Sequence, residues 1–109
     1  MARATAERIA AAGGKVAILD RPQSAGAEVA AAIGGTFHEC DVTDFDGTEA
    51  VIDAAAAAMG GLDVSVNTAG GGIAKRTMSK DGPHPLDEFR KVVDLNLISS
   101  FNVARLAAN

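Results

Sequence analysis

The sequence predicts an α/β protein organised as a doubly wound parallel sheet with three strands and four helices. Three observations carry this. Short apolar runs alternate with longer Ala-rich stretches of helical propensity. Glycine pairs at Gly13-Gly14, Gly34-Gly35 and Gly60-Gly61 close those stretches, and no linker or internal repeat interrupts the alternation. Strands alternating with helices in this way are joined by right-handed crossovers and lie parallel.

Each element has its own reason. Residues 2–12 are helical by propensity and stop at Gly13-Gly14. "KVAIL", residues 15–19, is a continuous apolar run suited to a parallel strand covered on both faces. "SAGAEVAAAIGG" gives the second helix and "TFHECDV" the second strand. A third helix runs from Asp44 to Met59, with Thr43 or Asp44 as its N-cap. "LDVSVN", residues 62–67, is the third strand. After a glycine-rich, polar loop the last helix runs from Leu86 to the C-terminus, entered just after Pro85.

Composition narrows the function classes. A chain of 109 residues is one domain at most, and 48% hydrophobic with 22% charged residues is ordinary for a soluble globular protein. There is no Trp or Tyr, so the core must be built from Ala, Val, Leu and Ile. The net charge of −4 argues against nucleic-acid binding. The single Cys40 allows no internal disulfide and gives no metal-site spacing, which fits a reducing, cytoplasmic setting. The most apolar stretch, "VIDAAAAAMGGL", carries Asp53 and is too short to cross a bilayer. Arg3 and Arg8 in the Ala-rich start hint at an organelle transit peptide, but Glu7 between them counts against it.

Three motifs hold candidate chemistry. Asp20 ends the first strand, where open α/β sheets bind ligands. An acid there either accepts hydrogen bonds from adenosine ribose hydroxyls and repels a 2′-phosphate, or caps the turn before Pro22. In "CDVTD", residues 40–44, Asp41 can accept from an adenine amino group and Val42 can pack on the ring; helix capping is the plainer role for such a cluster. "LDVSVNTAGGG", residues 62–72, ends in small residues that let a ligand approach the backbone, with the Asn67 amide placed to tie neighbouring strands. In the last helix Phe89, Val93, Leu97 and Phe101 form an apolar stripe, and Asn96 falls beside it at a helix-interior position its propensity does not favour. His38 and His84 have no nearby ligand set. Lys75, Arg76 and Lys80 form a basic loop that either meets a phosphate group or is simply solvated.

"DVTD", "NTAG" and "FRKVVDLNLISSFNVARLAA", in this order and spacing, resemble the short-chain dehydrogenase/reductase family. The stretch from Ser79 to Ala108 is especially similar to its type II 3-hydroxyacyl-CoA dehydrogenase branch, which oxidises 3-hydroxyacyl thioesters with NAD. The resemblance implies a partial Rossmann-like sheet and NAD as cofactor. It places Asp20 on the adenosine ribose, Asp41 and Val42 on the adenine, and Asn67, Ala69 and Gly70 along the cofactor's ribose side. Asn96 becomes the active-site asparagine that anchors a water in a proton relay. Thr68 stands where the family's "NNAG" has its second Asn.

The resemblance also implies that the family's first strand and "TGxxxGxG" loop, and its serine and "YxxxK" segment, lie outside residues 1–109. Family strand order would put that first strand between "KVAIL" and "LDVSV", so both lose backbone partners and stable folding of the chain alone is not expected. The expected function is therefore that of an incomplete NAD-dependent oxidoreductase, inactive alone. The alternative is a non-catalytic interaction module that pairs its open sheet edge and last helix with another chain; in the family that helix packs in a homo-oligomeric interface. A methyltransferase piece is the remaining rival, and "NTAG" with "DLNL" argues against it.

Overall fold

The computed structural model describes residues 1–109. Its elements in chain order are α1 (Ala2–Ala11), β1 (Ala17–Asp20), α2 (Gly26–Ile33), β2 (Thr36–Glu39), α3 (Gly47–Met59), β3 (Met78–Ser79), β4 (Gly82–Pro83), α4 (Leu86–Val93), a π turn (Asp94–Ile98) and α5 (Ser99–Ala107). The expected α/β alternation is present, with α4, the π turn and α5 forming one continuous rod. α2 and α3 end where Gly34 and Gly60 adopt φ of +69° and +82°, a region costly for residues with a Cβ.

β1 and β2 pair in parallel, Ala17 opposite Thr36 through to Asp20 opposite Glu39. α2 and α3 both pack on this pair; α1 packs on α2, and α3 on α5, so the two strands lie between two helical layers. Gly26 lets α2 close on the sheet, because a Cβ there would come within 2.6 Å of the Phe37 ring. α3 starts three residues later than the sequence suggests. Asp44 still serves its first turn: Oδ1 accepts the Gly47 N–H at 3.1 Å, and its carbonyl accepts from the Thr48 N–H and hydroxyl.

One expected element is corrected. Residues 62–67 do not form a strand; no main-chain hydrogen bond of theirs exists, and Val64 and Val66 are 68% and 52% exposed. The period-2 pattern is there, but a strand also needs a neighbouring backbone within about 4.8 Å, and β1 is separated from this segment by an open cleft. The same cleft leaves β1 half-buried rather than covered on both sides. A short antiparallel hairpin, β3 with β4, forms in the loop instead, turned by Gly82.

The core is small. Ten of 109 residues are buried, and the apolar ones are Ala6, Val29, Ala30, Cys40, Ile52 and Ala55. The radius of gyration, 16.1 Å, exceeds the roughly 13 Å of a compact chain this long, as an open cleft and a protruding helical rod require.

Candidate cofactor site

Asp20 and Asp41 stand at the carboxyl ends of β1 and β2. Register places Asp20 beside Glu39, and the Cys40 N–H donates to the Asp20 carbonyl at 3.0 Å, so the two acids emerge from the same end of adjacent strands. Asp20 is exposed; Oδ1 accepts the Arg21 N–H at 2.8 Å, and its other oxygen makes no hydrogen bond. Asp41 folds back on its own turn. Its Oδ1 accepts the Thr43 hydroxyl at 2.6 Å and the Thr43 N–H at 3.0 Å. These bonds, led by the hydroxyl, hold the Asp41 carboxyl below the usual carboxylate range, with a smaller contribution from Arg21. Asp41 is thus both a turn cap and a standing negative charge.

Val42, Asn67, Thr68 and Ala69 line one cavity of about 560 Å³, together with Ala2 and Thr5 of the first turn of α1. With Ala6 and Ile9, Ala2 and Thr5 form one lateral face of α1 along the cavity wall, and the first turn of the helix contains no acidic residue. Asn67 Oδ1 accepts the Ala69 N–H at 3.1 Å, an Asx turn that shapes the start of the glycine loop.

Asn96 reaches that loop from the helical rod. Its Nδ2 donates to the Gly71 carbonyl at 2.7 Å and the Val92 carbonyl at 2.8 Å, while Oδ1 accepts the Gly71 N–H at 3.1 Å. The Asn side chain therefore pairs with Gly71 as one peptide pairs with another. Gly70 must be glycine for this, since a Cβ there would sit 2.8 Å from Asn96 Oδ1. Both amide protons are committed, so the side chain has only acceptor capacity left to offer a water.

The π turn around Asn96 has a local cause. Side chains claim three main-chain carbonyls, each four residues back: Asn96 takes Val92, Ser99 Oγ takes Leu95 at 2.5 Å, and Ser100 Oγ takes Asn96 at 2.8 Å. With the i→i−4 ladder loosened, the Ser99 N–H bonds Asp94 instead, an i→i−5 step of the kind common at functional sites.

Asn102 was not foreseen from the sequence. It is 5% exposed; its Nδ2 donates to the Phe45 carbonyl at 3.2 Å and its Oδ1 accepts from Arg105 Nε at 2.9 Å. It fastens α5 to the turn that follows Asp41. An Asn inside a helix was the available signal, the same one that marks Asn96. The apolar stripe faces outward at Phe89, Leu97 and Phe101, which are 59%, 63% and 68% exposed, while Val93 is half-buried. His38 is held by Thr36 Oγ1 at 3.1 Å. Lys75 pairs with Glu88 at 2.6 Å, with His84 alongside, and no group of side chains is arranged to bind a metal ion.

A parallel strand pair between helical layers, with acids at the strand ends and a clamped glycine loop, is the architecture of nucleotide-binding α/β proteins. The family profile described as enoyl-(acyl carrier protein) reductase matches residues 1–109, and the chain belongs to the short-chain dehydrogenase/reductase family. It is 39% identical over 112 residues to the 3-hydroxyacyl-CoA dehydrogenase type-2 of Drosophila melanogaster, an alignment covering 99% of this chain and 44% of that protein. The crystal structure of 3-hydroxyacyl-CoA dehydrogenase type-2 from Mycobacterium avium superposes with a TM-score of 0.81 at 35% identity, covering 96% of this chain and 42% of that one. A 7α-hydroxysteroid dehydrogenase solved with NADH superposes with a TM-score of 0.76 at 31% identity, over 94% of this chain and 40% of that one. The chain thus spans less than half the length of the relatives it matches.

Proposed function

We propose that residues 1–109 are the cofactor half of an NAD-dependent oxidoreductase, an incomplete Rossmann domain whose full form oxidises the 3-hydroxyl of a 3-hydroxyacyl-CoA to the ketone. The observation that carries this is Asp20, an exposed carboxylate at the carboxyl end of β1 with one oxygen free of hydrogen bonds, poised for two ribose hydroxyls. Asp41 and Val42 would meet the adenine, and Asn67, Ala69 and Gly70 the ribose side. Bound NAD would accept the hydride from C3 as the hydroxyl gives up its proton. Asn96 is a positioning residue that fixes the glycine loop, and it anchors a relay water through its remaining acceptor capacity. With no tyrosine in the chain, we assign proton transfer to none of its residues, and the chain alone is inactive.

The test is equilibrium binding of NADH and NADPH to the chain, followed by nucleotide fluorescence, with and without Asp20→Ala. NADH should bind at least about tenfold more tightly than NADPH, and the substitution should erase that preference. Equal affinities for the unmodified chain would overturn the assignment.

The outward Phe89, Leu97 and Phe101 favour a second reading, in which the helical rod joins another chain as a non-catalytic interaction module, most simply a second copy. No helix is long and apolar enough to cross a membrane. The lone, unbridged Cys40 supports the reducing, cytoplasmic setting that we propose for the protein.

A further inference from the structure

We propose that Asn102 is a positioning residue of the adenine subsite: through the Phe45 carbonyl it holds the turn of residues 41–46 at the place where Asp41 can accept from a purine amino group. This rests on the assignment of Asp41 and Val42 to the adenine, and goes beyond it by naming what sets their position.

The turn supplies its own shape. The Asp44 N–H donates to the Asp41 carbonyl at 2.9 Å, the Thr43 hydroxyl and N–H donate to Asp41 Oδ1, and Asp44 accepts from Gly47 and Thr48. Every hydrogen bond of residues 41–46 thus stays within the turn or runs to the first turn of α3, with one exception. That exception is the bond the Phe45 carbonyl accepts from Asn102 Nδ2 at 3.2 Å. Asp41 Oδ2 makes no hydrogen bond, so it is the oxygen left to accept from a ligand.

The anchor is built to hold. Asn102 is buried on α5, which packs on α3, so water competes little for its bond. Arg105 Nε donates to its Oδ1 at 2.9 Å, which leaves only the NH2 end of the amide to face Phe45. Asn96, on the same helical rod, holds Gly71, so one rod carries the anchors of both the adenine turn and the glycine loop. Loss of the Asn102 anchor therefore moves the turn without unmaking it. A binding group must be held to within about 0.5 Å, so a displaced Asp41 loses its hold on the amino group while keeping its own bonds to Thr43.

The test is titration of the full 109-residue chain with adenosine monophosphate and with inosine monophosphate, in which a carbonyl replaces the amino group. The unmodified chain should prefer the adenosine form by about tenfold, as a hydrogen bond to a carboxylate gives. Asn102→Asp keeps the side chain's shape and its contact with Arg105 but turns an oxygen on the Phe45 carbonyl; Asn102→Ala removes the anchor outright. In both, adenosine monophosphate should bind about fivefold more weakly and its preference should fall to about twofold. The Asp41 carboxyl should stay below the usual carboxylate range in both, because the turn keeps its own bonds. A readout that needs no variant is the Asn102 side-chain amide, whose 15N-resolved resonances in the unmodified chain should shift on binding along the same curve as the Asp41 amide. An undiminished preference in either variant, or Asn102 resonances that adenosine monophosphate does not move, would overturn the proposal. So would an Asp41 carboxyl returned to its ordinary value, since Asn102 would then support the turn's shape rather than its place. Equal binding of the two nucleotides by the unmodified chain would instead overturn the adenine assignment of Asp41, and the proposal with it.

Discussion

Replacing Asn96 by Ala isolates the clamp on the glycine loop. Three hydrogen bonds disappear, but only the two to Gly71 hold the loop; the third, to Val92, lies within the helical rod. At about 1 kcal/mol net per bond the loop loses about 2 kcal/mol, while the rod regains roughly 0.5 kcal/mol of helix propensity. Local opening of the loop should therefore become about 30-fold more frequent. The Gly71 amide reports this directly, because Asn96 Oδ1 is its sole partner. Measured by hydrogen exchange, it should exchange about 30-fold faster in Asn96→Ala under conditions where opening is at equilibrium. Asn96→Asp keeps the acceptor but turns a carboxylate toward the Gly71 and Val92 carbonyls, and should exchange at least as fast as the Ala variant. An unchanged Gly71 rate in Asn96→Ala, or wild-type protection in Asn96→Asp, would refute the clamp.

Two other substitutions probe the surface and the acid site. Phe101 is 68% exposed, and covering that area in a self-association would contribute about 3 kcal/mol per copy. Phe101→Asp should weaken any dimer, followed by sedimentation equilibrium, by about a hundredfold or more. Thr43→Val removes the hydroxyl that chiefly lowers the Asp41 pKa, so the carboxyl should titrate closer to its ordinary value in a 13C carboxyl titration. Because the folded Asp41 pKa is depressed, its contribution to stability is present above about pH 4 and is lost as pH falls through the folded value. The Thr43→Val protein should show a smaller loss over that acid range.

Local signals in the chain located the helices and the first two strands, because glycine stops, apolar runs and caps act within a few residues. They failed at residues 62–67. The alternation of Leu62, Val64 and Val66 describes which faces a strand would present, but pairing depends on a backbone neighbour distant in sequence, and β1 does not come close enough to be one. The acids were legible as strand ends, and the structure brings Asp20 and Asp41 to one edge as their positions suggested. The work of Asn96 was visible only as an anomaly, an Asn inside a helix; that it binds Gly71, 25 residues earlier, depends on tertiary placement. Asn102 carried the same anomaly, and its partner, the Phe45 carbonyl, lies 57 residues away. The stripe of Phe89, Leu97 and Phe101 shows the limit of periodicity, which finds an apolar face but not whether the same chain covers it.

The account turns on whether the strand ends and the glycine loop hold the adenosine side of NAD, and amide chemical-shift mapping with 15N-labelled chain tests this most directly. Titration with NAD should move the resonances of Asp20, Asp41, Val42 and residues 67–70 together, along one saturation curve. Shifts confined to the β3–β4 hairpin, or none at those seven positions, would contradict it.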